Sequence, residues 1–215
     1  ERLKGLVGKK TRMLILTNLH NPSGVGIPED TLRGAVEIAA DSGAWVLCDE
    51  VYRDFVSDRF PSAWGMGDNV IVTSSLTKFA GMGGCRMGWA LVPREFSRQM
   101  SDMNDYVQIV SSRPSELIGE AAFARIDRIV ERSTSIAREN RGVVDRWMED
   151  EERAQWVPPD GGIIGFPRLT AGDGRPVRSL GFTGHMVERY DALAGPGCHF
   201  GLDGHVRVGF GGDRA

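Results

Sequence analysis

The strongest chemical signal in the chain is a lysine set among hydroxyls and glycines. Residues 74–88 read Ser74-Ser75-Leu76-Thr77-Lys78-Phe79-Ala80-Gly81-Met82-Gly83-Gly84-Cys85-Arg86-Met87-Gly88. Hydroxyl side chains and the planar fork of Arg86 suit a phosphate group. The glycines allow backbone to approach a bulky ligand closely. A lysine beside such a site can form an imine with an aldehyde once its pKa is lowered. The competing reading is a glycine-rich turn carrying a surface lysine and arginine.

Two further segments bear on that choice. Asp49-Glu50-Val51-Tyr52 follows one short apolar run and Asn21-Pro22-Ser23-Gly24 follows another. Singly, each has a plain explanation: Asp49 as a helix cap, Tyr52 as core, Asn21-Pro22 as a turn. Jointly they put an acid, a phenol, an amide, an amine and an arginine after successive strands, the ligand-facing edge of an open α/β sheet.

The elements that must position these residues are legible from periodicity. Residues 13–17, 44–48, 70–73 and 87–92 are short apolar runs of the kind expected for strands buried on both faces. Pro28-Glu29-Asp30 starts a helix, Leu32, Ala35, Val36 and Ala39 recur at helical spacing, and Gly43 ends it. Strands alternating with a helix or longer connections imply an α/β layer architecture. Beyond Pro93, residues 94–155 are rich in Arg, Glu, Ala and Met and predict long helices, one of them partly exposed over 132–152. From Trp156 onward, short runs such as 162–166 and 205–210 predict the strands of a smaller α+β unit. The expected division is residues 1–135 and 136–215.

Composition narrows the function classes. The 215 residues carry 26 Lys+Arg against 29 Asp+Glu, a net charge of −3, which argues against nucleic acid or an anionic membrane as partner. No apolar stretch approaches the roughly 20 residues that cross a bilayer, and Glu1-Arg2-Leu3-Lys4 lacks the apolar core of a secretory signal. Three cysteines without metal-ligand spacing suit a reducing cytoplasm. His185, His199 and His205 likewise lack metal-ligand spacing, and His20, beside the Asn21 turn, reads as structural. The 28 glycines are about twice the usual share of about 7%, and their clustering points to functional turns.

In order and spacing, the Asn21-Pro22-Ser23-Gly24, Asp49-to-Tyr52 and Ser75-to-Gly88 segments resemble the fold-type I, class I/II pyridoxal-phosphate-dependent aminotransferases. The resemblance runs from roughly Leu14 to Gly211. It implies the aspartate aminotransferase-like fold: the C-terminal half of the large cofactor-binding α/β domain, followed by the small α+β domain. It also implies pyridoxal 5′-phosphate as cofactor, held by Lys78 as an internal aldimine. Asp49 would pair with the pyridine nitrogen, Asn21 and Tyr52 would hydrogen-bond the ring 3′-oxygen, and Ser75 and Arg86 would bind the phosphate. Arg207, within His205-Val206-Arg207-Val208-Gly209-Phe210, is similar to the family's small-domain arginine that clamps a substrate α-carboxylate.

The expected reaction is reversible amino transfer between an amino acid and a 2-oxo acid. Two alternatives stay open: a lyase or synthase of the same fold, and an aminotransferase-like sensor domain of a transcription regulator. The family's long N-terminal half is not found in these residues, and the C-terminal end stops just after an apolar run. A fragment of a cytoplasmic homodimer, weakly active or inactive when isolated, is therefore expected.

Overall fold

The computed structural model describes residues 2–56 and 59–213. By contact the chain divides into two compact units, residues 1–18 with 27–133, and residues 19–26 with 134–215. A single cut near residue 135 leaves residues 19–26 in the first unit, whereas the structure groups them with the second. The reason is backbone hydrogen bonding. The Gly26 N–H donates to Asp160 Oδ2 at 2.8 Å, and the Asp160 N–H donates to the Gly24 carbonyl at 2.9 Å.

The first unit opens with a short helix, α1 (Arg2–Leu6), and is built on a four-stranded sheet. Strands β1 (Met13–Thr17), β2 (Trp45–Asp49) and β3 (Val70–Ser75) are parallel neighbours. Strand β4 (Gly88–Leu91) runs antiparallel to β3. Helix α2 (Glu29–Asp41) links β1 to β2. Pro28 sets the entry with φ −56°, Glu29 and Asp30 face the positive end of the helix dipole, and Gly43, at φ +69°, ends the turn that follows.

One stripe of α2, Leu32, Val36 and Ala39, packs on Val46, Cys48, Val70 and Val72, with Leu14 and Leu16 partly buried against the same cluster. This is the core that fixes the sheet. Leu32 is completely buried, so its truncation to Ala costs about 2–5 kcal/mol.

The expectation of strands buried on both faces is met only in part. On β2, residues alternate between that core and a half-buried face carrying Trp45, Leu47 and Asp49. There the Trp45 ring meets Phe96 edge-on at 4.6 Å. On β1 the corresponding face is open, with Ile15 72% exposed, and Leu91 of β4 is also exposed. The difference follows from coverage, since α2 shields one face of the sheet and β1 lies at its edge.

Helices α3 (Arg94–Val107) and α4 (Arg113–Phe123) follow, and α5 (Ile126–Asp150) extends the long helix expected over 132–152 toward its N-terminus. Its charged faces account for the burial of Ala137 alone.

In the second unit, β5 (Ala154–Gln155) pairs with β7 (Arg168–Leu169). Strand β6 (Ile164–Gly165) pairs with β9 (Val206–Gly209), which also takes β8 (Gly195–Pro196), all antiparallel. Helix α6 (Ser179–Tyr190) is anchored at its start by Asp203, whose Oδ1 accepts from the Ser179 N–H at 2.8 Å and the Ser179 hydroxyl at 2.6 Å. Among the described residues no helix is long and apolar enough to cross a membrane, and no group of His, Cys, Asp and Glu has a metal-holding arrangement.

Candidate functional site

Parallel pairing decides what shares an edge in the first unit. Leu16 lies beside Cys48, Thr17 beside Asp49, and Asp49 beside Thr73. The C-terminal ends of β1, β2 and β3 therefore lie side by side, and Asp49 and Ser75 are the last residues of their strands. In an open parallel sheet this is the edge where ligands bind.

Asp49 belongs to the face of β2 turned away from the α2 core. Its Oδ1 accepts the Val51 N–H at 3.1 Å, which orients the carboxylate at the strand end. Glu50 points the other way and is buried. Its Oε1 accepts the Ala63 N–H at 2.6 Å, and its Oε2 lies 3.0 Å from Arg53 Nε. Beneath these acids, burial first, and then the Glu50 and Asp49 charges, push the Cys48 thiol up to about 12.

Tyr52 is buried just before a single 3-10 turn, Arg53–Val56. The Lys78 Nζ sits 5.8 Å from the centre of its ring, within reach of a cation–π attraction. Lys78 lies in the connection from β3 to β4, which is closed by local hydrogen bonds. The Leu76 N–H donates to the Met87 carbonyl, the Gly81 N–H to the Lys78 carbonyl and the Met82 N–H to the Leu76 carbonyl, all at 3.1–3.2 Å. Gly81 takes φ +67°, a conformation open to glycine at no steric cost.

Ser75 opens that connection and accepts the Thr77 N–H at 3.3 Å. Arg86 closes it, exposed and left-handed at φ +52°. For a residue with a Cβ this backbone costs about 1–3 kcal/mol, a strain of the kind held at ligand-binding turns. Because Ser75 pairs with Gly88, Arg86 returns toward the strand end from which Ser75 departs. The first unit thus groups Asp49, Tyr52, Ser75, Lys78 and Arg86 at one sheet edge and in the connection that leaves it.

Asn21 and Arg207 form a separate pair in the second unit. Arg207, on β9, donates from Nη1 to Asn21 Oδ1 at 3.1 Å. Its guanidinium lies over the Phe200 ring at 5.4 Å. Gly195, opposite Arg207 in the β8–β9 register, leaves room for it: a Cβ there would stand 3.3 Å from Arg207 Cβ and 3.5 Å from its Nε. Phe200 in turn meets Phe166 edge-on at 5.6 Å. His20 does local work, its Nδ1 lying 2.7 Å from the Ser23 hydroxyl.

Sequence reasoning passed over three residues that hold these groups. Glu50 has a signal in hindsight, an acid three residues before Arg53 in a segment otherwise bound for burial. Asp160 ties down the Asn21 turn from 134 positions away, and Phe200 lies under Arg207. Neither of these two contacts has a local sequence signature.

The family model for aminotransferases of class I and II matches residues 1–215. Capreomycidine synthase of Streptomyces vinaceus is 30% identical over 211 residues, covering 97% of this chain and 53% of its own length. An aspartate aminotransferase of Pyrococcus horikoshii is 24% identical, covering 95% and 53%. Among solved structures, a PLP-dependent aminotransferase from Streptococcus suis superposes with a TM-score of 0.92 at 30% identity, covering 98% of this chain and 55% of that one. The PLP-dependent cyclase OrfR gives 0.84 at 30% identity, covering 99% and 57%. The chain spans about half the length of the curated relatives it matches.

Proposed function

The chain belongs to the class I and II aminotransferase family, and on that footing we propose that the whole protein moves an amino group between an amino acid and a 2-oxo acid. The family's cofactor is pyridoxal 5′-phosphate, and the donor set of the first unit fits it. A carboxylate suits a pyridinium nitrogen, an amine suits an aldehyde, and a hydroxyl with a guanidinium suits a phosphate. The turn between them is open, since a Cβ at Gly81 or Gly84 would meet nothing within 4 Å.

When bound, the cofactor supplies an electron sink for the pair left behind at the substrate Cα. The chain's residues do the rest. Asp49 would hold a proton on the pyridine nitrogen, because an opposite charge raises that group's pKa. Tyr52 would donate to the ring 3′-oxygen, a role the family resemblance also gives to the Asn21 amide nitrogen. The Ser75 hydroxyl and the Arg86 fork bind the phosphate. Lys78 Nζ would be the attachment point, and its free amine would hold and move the proton at the substrate Cα, a general acid–base role. Arg207 would grip a substrate α-carboxylate through two parallel N–H donors, an orienting role.

The observation that carries this reading is the Lys78 amine set 5.8 Å from the buried Tyr52 ring, in the connection leaving the same sheet edge at which Asp49 ends β2. Borohydride reduction of the whole protein with pyridoxal 5′-phosphate, followed by peptide mapping, tests it. Label on Lys78 is expected, and label on another lysine or none overturns the assignment. An amino-donor screen scored by 2-oxo acid formation then identifies the substrate.

A second reading has a specific observation behind it. Two of the proteins at 30% identity are named for synthase and cyclase chemistry rather than amino transfer. Product analysis separates the two: amino transfer yields a 2-oxo acid with an aminated cofactor, whereas ring closure yields a product that keeps its α-amino group.

We read the whole protein as a cytoplasmic homodimer. Three free cysteines support the compartment. Helix α3, which buries none of its residues and exposes Met100, Met103, Tyr106 and Val107, supports the assembly. Sedimentation at a single-subunit mass would overturn the dimer.

A further inference from the structure

Glu50 is an expensive residue where it stands. It is 3% exposed, and a carboxylate so placed must recover its lost hydration from partners. Its partners include the Ala63 N–H at 2.6 Å, Arg53 Nε at 3.0 Å and the Cys48 thiol. An apolar side chain of similar volume would pack there without the desolvation penalty, so net stability is a weak reason for a buried ion pair. What the pair does supply is a fixed geometry.

That geometry encloses Tyr52. The Arg53 N–H donates to the Glu50 carbonyl at 2.9 Å, so residues 50–53 form one tight turn, and the Glu50–Arg53 side-chain pair spans the same residues. At its other end, the Glu50 N–H is held by the Thr73 carbonyl at 2.8 Å, which ties the turn to β3, the strand that leads to Lys78. The bond to Ala63 fastens the turn to the loop beyond. Tyr52 is left with its ring 4% exposed and facing the Lys78 amine. Among the described residues, the charged and titratable groups around the turn include Cys48, Asp49, Arg53, Asp54 and Lys78, and the Glu50–Arg53 pair is internally neutral.

We propose that Glu50 is a positioning residue which, through Arg53 and the Ala63 N–H, holds Tyr52 at the distance from Lys78 that cofactor tuning requires. The proposal rests on the assignment of Tyr52 as donor to the cofactor's 3′-oxygen. A donor there stabilises the oxygen's anionic form. Its loss makes the neighbouring nitrogen easier to protonate, and so raises the pH at which the visible band of the bound cofactor shifts.

The test is an absorbance titration of the whole protein loaded with pyridoxal 5′-phosphate, with no substrate present. Tyr52→Phe is expected to raise the midpoint. Glu50→Gln, which keeps an acceptor for Ala63 but loses the charge for Arg53, should raise it in the same direction by about 0.5 pH unit, threefold in proton affinity. In the Tyr52→Phe background, Glu50→Gln should add no further rise, because its effect passes through the tyrosine. If Glu50→Gln fails to fold, Arg53→Gln breaks the pair from the other side and should give the same rise. An unmoved midpoint in the foldable variant, beside a shifting Tyr52→Phe, overturns the proposal alone. An equal rise in both backgrounds also overturns it, since Glu50 would then act without the tyrosine, and a fall in both would mean that it acts by its charge. A Tyr52→Phe midpoint at the wild-type value overturns the tyrosine's assignment together with it.

Discussion

Arg207 donates from Nη1 to the amide oxygen of Asn21 at 3.1 Å, joining residues 186 positions apart in the chain. The bond fixes which way the amide faces. With Oδ1 turned to the guanidinium, Nδ2 is the end turned elsewhere, as the contact proposed for it would require. Phe200 lies under the guanidinium, and Gly195 leaves space beside both side chains.

That pair yields a prediction about the carboxylate clamp proposed for Arg207. Asn21→Asp would place a carboxylate where Arg207 now meets a neutral oxygen. A charge-assisted bond is roughly twice as strong as a neutral one, so the guanidinium would be occupied before substrate arrives. The KM for α-amino acids should rise by about 10- to 100-fold, which corresponds to about 1.4–2.8 kcal/mol. Steady-state kinetics with the best donor found in the screen checks it. An unchanged KM would show that Arg207 does not grip the carboxylate.

A second prediction concerns the clamp's shape. Arg207→Lys keeps the positive charge but loses the planar fork that meets a carboxylate with two parallel bonds. The kcat/KM for amino acids should fall about 100-fold, of the order of one strong charged contact. The cofactor's visible band should persist, because the substitution leaves Lys78, Asp49, Ser75 and Arg86 in place. A loss of that band would assign Arg207 to cofactor binding instead.

Much of the first unit was legible in the sequence, because its signals are local. The apolar run 13–17, the Leu32-Ala35-Val36-Ala39 stripe and the glycine-bounded Lys78 segment each carry their period or turn chemistry within a dozen residues. The family and its cofactor were legible for the same reason, as residue types at fixed spacing. What escaped was set by distance or by absence of cover. Asp160 claims the Asn21 turn through a hydrogen bond spanning 134 positions. The open face of β1 at Ile15 depends on what packs against it, which an apolar run cannot express. Glu50 read as part of a motif, but its buried pairing with Arg53 emerges only when the turn closes.

The cysteines give a prediction independent of catalysis. Cys48 is completely buried, and its thiol is pushed up to about 12 by burial and by the Glu50 and Asp49 charges. Cys198 is exposed and Cys85 is half-buried. A thiolate-specific reagent at pH 8 should label Cys198 and Cys85 in the native protein and reach Cys48 only after unfolding. The sign for stability follows. The unfolded thiol ionises near 9, whereas the native one does not, so Cys48's contribution is intact below 9 and is lost as pH rises toward about 12. Cys48→Ala should flatten that alkaline decline in the thermal midpoint. Rapid native labelling of Cys48 would contradict the packing described for β2.

Asp203 provides the acid-side counterpart. Its Oδ1 receives both the N–H and the hydroxyl of Ser179, and the Ser179 oxygen receives the Cys198 N–H at 3.1 Å. One carboxylate thereby links the start of α6 to the short turn beginning at Gly197. The hydrogen bonds from Ser179, hydroxyl first and then N–H, hold the Asp203 carboxyl below the usual value of 3.8. A depressed carboxyl stabilises the fold above its unfolded pKa, and that stabilisation is lost as pH falls through the lower native value. Asp203→Asn keeps the acceptor oxygen but removes the charge, so its thermal midpoint should lie below wild type at pH 7. As pH falls below 3.8 and through the lower native value, the wild-type carboxylate is neutralised, and the two midpoints should converge. A constant gap across that range would mean that Asp203 acts by shape alone.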